Sequence, residues 1–175
     1  MSIPDRFSIF QNKSLLITLV GCCLIAAWLA FRLLLPNQPT WFAGTPPTHL
    51  GPEQGHLASC PATPNCVSSQ SLDQSHQIAP IPYSGSPTTA ISALRQLIES
   101  FPRTQIITVT DDYLYATFST PLMGFVDDVE FYLNPTTQVI EVRSASRLGE
   151  SDLGVNRQRV ETIRTQLEPI LAQST

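Results

Sequence analysis

Val126-Asp-Asp-Val-Glu-Phe-Tyr-Leu133, Asn134-Pro-Thr-Thr137 and Val139-Ile-Glu-Val-Arg-Ser144 follow one another along the chain. Two alternating runs joined by a turn describe a β-hairpin. In the first run Val129, Phe131 and Leu133 share one face, and Asp128, Glu130 and Tyr132 share the other. One face therefore belongs against an apolar core. The second carries groups that need polar partners.

The sequence before the hairpin supplies the rest of a layer. Thr104 to Thr110 is β-branched and apolar, Asp111-Asp112 is a turn, and Tyr113 to Ser119 reads as a further strand. Ser86-Pro87 has the form of an N-cap followed by proline at the first helical position. Ala90, Ile91, Leu94, Leu97, Ile98 and Phe101 then recur at helical spacing, so a helix is expected over 87–100. A last helix, starting near Asn156, lines up Val160, Ile163, Leu167 and Ile170. The expected fold is α+β: an antiparallel four-strand sheet with two flanking helices, preceded by one transmembrane helix. The sheet's other face is either solvated or closed over a groove.

Leu15 to Phe31 is a run of seventeen residues without a charge, and Leu33-Leu-Leu35 follows Arg32. Crossing a bilayer takes about 20 apolar residues, and an arginine near the end reaches the interface. The division is then a cytoplasmic N-terminus at 1–14, a span at 15–35, and a Pro-rich linker at 36–55 forming an extended spacer. Trp28, Trp41 and Phe42 suit the outer boundary. Leu19-Val-Gly-Cys22 also fits a lipoprotein cleavage box, and cleavage as an ordinary signal peptide is a further alternative. Arg6 and Lys13 precede the span, which places the N-terminus inside and the C-terminal part in a periplasm or lumen. From Pro36 onward there are seven arginines, no lysine and thirteen acids, a formal charge of −6. That balance argues against nucleic acid, which needs a basic face.

Cys60 and Cys66 bracket Pro-Ala-Thr-Pro-Asn. In an oxidising compartment they read as a disulfide. A metal site using His56, Cys60 and Cys66 with His49 or His76 in support, or a catalytic thiol at Cys66, are the alternatives, although the spacing matches no zinc pattern.

Three strings are specific together: Leu57-Ala-Ser-Cys-Pro-Ala-Thr-Pro-Asn-Cys-Val-Ser-Ser69, Gly124-Phe-Val-Asp-Asp-Val-Glu-Phe131, and Arg143-Ser-Ala-Ser-Arg-Leu-Gly-Glu-Ser-Asp-Leu-Gly-Val-Asn-Arg-Gln-Arg-Val160. They closely resemble the family called domain of unknown function 1499, over about 55–172. The resemblance defines a family domain at 56–172 and implies no activity.

Candidate ligand-binding residues are Asp127, Asp128, Glu130, Arg143, Ser144, Ser146, Arg147, Asp152, Asn156 and Arg157. Glu130 faces Arg143 in one register; a slip of two puts Asp128 there. Glycines and a helix N-terminus beside Arg147 and Arg157 suit an anionic small molecule. The same charges also read as a salt-bridge network in which Arg143 and Arg147 lock the following loop to Asp127 and Asp128, with Asn156 capping the helix. An acid/base pair at Asp127 and Asp128 needs a bend in the strand, because neighbours point to opposite faces. Exposed Leu122, Met123 and Phe125 suit a partner protein or the membrane. The leading expectation is a membrane-tethered binding or interaction module requiring no cofactor or metal. An enzyme using an Asp/Arg-lined pocket is the runner-up, and a structural role in a membrane complex is third.

Overall fold

The computed structural model describes residues 6–36 and 38–173, and the chain divides into two compact units after Gln38. The first contains one helix, α1 (Arg6–Leu34). Its stretch Lys13–Leu34 is 22 residues long and apolar enough to cross a membrane. At 1.5 Å per residue that is about 33 Å, matching a hydrocarbon core of about 30 Å.

The second unit contains β1 (Cys66–Ser68), β2 (Ile81–Pro82), α2 (Pro87–Ser100), β3 (Thr104–Val109), β4 (Tyr113–Ser119), β5 (Val126–Asn134), β6 (Val139–Ser146) and α3 (Val155–Gln173). The class is α+β, but the sheet has six strands where the sequence suggested four. Its order is β1-β6-β5-β4-β3, with β2 also paired to β6. The two additional strands are three and two residues long. Neither is long enough to show a period of two; each exists because β6 offers it a hydrogen-bonding edge. All strand pairings are antiparallel.

Helix α2 begins as its sequence demands. Ser86 is extended, its hydroxyl accepts the Thr89 N–H, and Pro87 occupies the first turn. Ala90, Ile91, Leu94, Leu97 and Ile98 are buried. Helix α3 buries Val160, Ile163, Leu167 and Leu171; Ile170, expected on that face, is exposed. Both helices pack on the face formed by Leu114, Ala116, Val129, Phe131, Leu133, Ile140 and Val142. Full burial of a side chain such as Phe131 contributes about 1.5–3 kcal/mol.

The opposite face is neither solvated nor an open groove. Leu57, Tyr113 and Tyr115 form a second buried cluster there, with Leu50 and Tyr132 packed against it. Residues 39–55, the greater part of the 36–55 stretch expected as an extended spacer, belong to the compact unit. The Gly51 N–H donates to Glu130, Leu57 N–H to Gln70, and Thr40 Oγ1 to the Met123 carbonyl. Prolines and glycines keep this segment from becoming a helix or strand, and the contacts that hold it go to Glu130 on β5, to Gln70 just after β1 and to the 120–125 loop.

Candidate functional site

The centre of the domain is the pairing of β5 with β6. Its register places Glu130 opposite Arg143 and Asp128 opposite Ala145, so the first of the two possible alignments holds. Pairing on both sides of β5 is regular from Asp127 to Tyr132. With no bend, Asp127 and Asp128 point to opposite faces. They cannot act as a cooperating acid/base pair.

On the outer face Asp128 receives a two-pronged contact from Arg147, with Nε at 2.9 Å and Nη2 at 2.7 Å. Tyr115 donates to the same carboxylate at 2.5 Å. The bond to Asp128 is the chief cause that raises the Arg147 pKa. Burial first, then the Asp128 bond, pushes the Tyr115 hydroxyl up to about 12. Glu130 accepts from Tyr113, from Arg143 at 3.3 Å, and from the Gly51 N–H at 2.8 Å. Burial, reinforced by Glu130, raises the Tyr113 hydroxyl further still.

On the helix face Asp127 pairs with Arg159 at 2.5 Å. Arg159 also donates to Ser144 Oγ and Asn156 Oδ1, and its guanidinium lies 4.9 Å from the Phe118 ring centroid. Asn156 is fully buried and ties Ser144, Ser146 and the Asn65 carbonyl together. It does not cap α3. Asp152 does, accepting the N–H groups of Gly154 and Asn156. Arg157 lies elsewhere, bonded to the carbonyls of Gln77 and Ser75.

Nine of the ten candidate residues therefore fall in one region, split between two sheet faces, and Arg157 does not join them. Arg143 and Arg147 do not both reach the Asp127-Asp128 pair: Arg143 takes Glu130, Arg147 takes Asp128, and Arg159 takes Asp127. Arg159, Tyr113, Tyr115 and Asn65 were not singled out from sequence. The alternation of β4 held the signal for the tyrosines, because every second residue of that strand faces Asp128 and Glu130. Asn65 sits inside the loop closed by the Cys60–Cys66 disulfide and donates to the Gly149 carbonyl. The disulfide removes Cys66 as a nucleophile. Among the described residues no cluster of three or more His, Cys, Asp or Glu side chains is placed to hold a metal ion.

The three acids and their arginines are engaged with one another, so the space beside them matters more than the charges. A cleft of about 220 Å³ opens between the 120–125 loop and the start of α3. Asp127 and Ser146 are at its floor; Phe125, Leu148, Leu153 and Val155 form its apolar walls. It unites the apolar loop and the glycine-containing loop that the sequence showed as separate features.

A family model described as protein of unknown function, DUF1499, matches residues 56–167. No curated protein matches the chain.

Proposed function

The chain belongs to the DUF1499 family, whose description carries no activity, and from that premise we propose a membrane-anchored binding module. In this reading α1 is the anchor, its N-terminus is cytoplasmic, and the second unit stands in the periplasm or a lumen. Arg6 and Lys13 ahead of the span support that orientation. The cleft beside Asp127 holds a small, largely apolar molecule, with Ser146 offering the polar contact. The carrying observation is a concave, apolar-walled site on a floor made rigid by the Asp127–Arg159–Asn156 network. An enzyme built on the Asp/Arg cluster is less well supported, since each of its three acids is already paired with an arginine. The anionic ligand suggested by Arg147 and Arg157 is disfavoured for the same reason: both guanidiniums have protein acceptors.

The full chain in lipid nanodiscs, washed after incubation with the small-molecule extract of its host, tests this reading. Mass spectrometry should find a species retained by the wild type and lost from Val155→Trp, which fills the mouth of the cleft. Equal retention by both, or none by either, sinks the proposal.

A further inference from the structure

Several exposed apolar residues of the second unit gather at one end of the sheet, away from Leu72, Ile107 and Val109, which are exposed elsewhere. The Phe42 and Phe125 rings are 5.4 Å apart, and Thr40 Oγ1 holds the Met123 carbonyl at 2.7 Å. Gly44, at φ +67°, lets the chain lie against the next loop: a Cβ there would be 3.0 Å from Leu148 Cγ and 2.8 Å from Arg147 Cβ. The cleft then links Phe125 and Leu148 to Leu153 and Val155. Trp41 is 99% exposed, Leu153 94% and Leu122 57%. Leu153 is held outward by left-handed backbone at φ 55°, a conformation that a bulky side chain rarely adopts.

We propose that this apolar rim docks into the surface of the same bilayer that α1 spans. The proposal rests on α1 being an anchor and does not depend on what the cleft binds.

Tether length carries the argument. Helix α1 ends at Leu34 and the second unit begins at Pro39. Trp41 is seven residues beyond Leu34, which is about 25 Å even for a fully extended chain. The intervening residues are shorter than that, because the Leu35 and Gln38 N–H groups turn back to the carbonyls of Phe31 and Leu35. Trp41 cannot leave the neighbourhood of the membrane, and Phe42 binds the 120–125 loop to it. An amphipathic ring such as tryptophan favours the headgroup layer over water.

Charge points the same way. From Leu33 to Pro52 there is no acid or base except His49, and from Tyr113 to Val126 there is none. In the 148–155 loop Asp152 is engaged in capping α3, leaving Glu150 as the exposed charge. Asp127, which lines the cleft, is paired with Arg159, so of the acids that give residues 36–175 their −6 Glu150 is the one exposed at the rim. Contact through apolar and aromatic groups is insensitive to salt and needs no anionic lipid, unlike a polybasic patch.

The test uses the full chain in phosphatidylcholine vesicles with a Trp28→Phe, Trp41→Phe background, which removes both native indoles. Leu153→Trp then reports on the rim. Thr136→Trp reports on the β5–β6 turn, at the other end of a nine-residue strand and so about 25 Å away. With brominated acyl chains, Leu153→Trp should be quenched several-fold more than Thr136→Trp and emit further to the blue. Equal, weak quenching at both positions overturns docking, as does a blue shift at residue 153 that disappears on dilution, which would mean that a second copy covers the rim. An alkaline wash of the same vesicles separates the failures. Release of the chain refutes the anchor, and docking with it; retention without quenching at residue 153 refutes docking alone.

Discussion

On the helix-covered face of β5, Val129, Phe131 and Leu133 are completely buried and Asp127 is the one acid. On the opposite face Asp128 and Glu130 are just as buried, but beside Tyr113, Tyr115, Arg143 and Arg147. The difference lies in what covers each side. A helix satisfies its own backbone and asks only for an apolar surface beneath it. An irregular segment such as 39–57 brings unpaired N–H and C=O groups, and the surface beneath must supply acceptors and donors. Glu130 and Gln70 do so, accepting the Gly51 and Leu57 N–H groups. The sheet is therefore sealed by two helices on one side and, on the other, by an irregular segment held to buried acids beside a small apolar cluster.

Three measurements on the full chain would break or sharpen this contrast. The largest effect is expected from Arg159→Ala, which strands Asp127 beneath α3 and removes the Asn156 and Phe118 contacts. Loss of one partner from a buried pair costs about 3–5 kcal/mol, so chemical denaturation should show a global loss of that size. A change under 1 kcal/mol would mean that the helix face does not depend on its polar network.

Glu130→Gln should be milder, about 1.5–3 kcal/mol for weakened hydrogen bonds to a charged group. Its signature is local. Amide exchange should accelerate at Gly51 and across 40–57 before it changes in α2 or β6. Uniform acceleration would show that the roof and the core open as one unit.

The smallest effect at neutral pH belongs to the tyrosines, and it grows in alkali. Both hydroxyls are raised, Tyr115 to about 12, chiefly by burial. A raised value stabilises fully below the ordinary tyrosine pKa near 10 and is lost as pH climbs through the folded value. The tyrosines' contribution should therefore be constant below about pH 10 and be lost toward pH 12, with Tyr115→Phe removing part of the alkaline slope. An unchanged slope in Tyr115→Phe would place the alkaline sensitivity elsewhere.

Much of this architecture was legible along the chain. Ser86-Pro87 and the recurrence from Ala90 to Ile98 set α2 to its observed limits, and alternation located β3 to β6 within about two residues. Less was legible of the site. The charged residues stand out along the chain, yet nothing local pairs Arg159 with Asp127, 32 positions away, while Arg157, two residues before it, invites an anion-site reading instead. Helical geometry separates those two: residues two apart lie on different sides of α3. The pairing register, the six strands and the roof over the outer face were likewise closed to a local reading.

The amino-acid sequence by itself determined the elements whose information is periodic and local: the apolar span, two amphipathic helices, the alternating strands and the disulfide loop. Periodicity works there because burial repeats with the geometry of the element. Only the tertiary structure decided which arginine neutralises which acid, that 39–57 folds onto the sheet, and that Trp41, Phe125 and Leu153 belong to one rim. Those outcomes depend on contacts between residues tens of positions apart, where β6 recruits short strands and unpaired backbone finds its acceptors. No period in the chain encodes them.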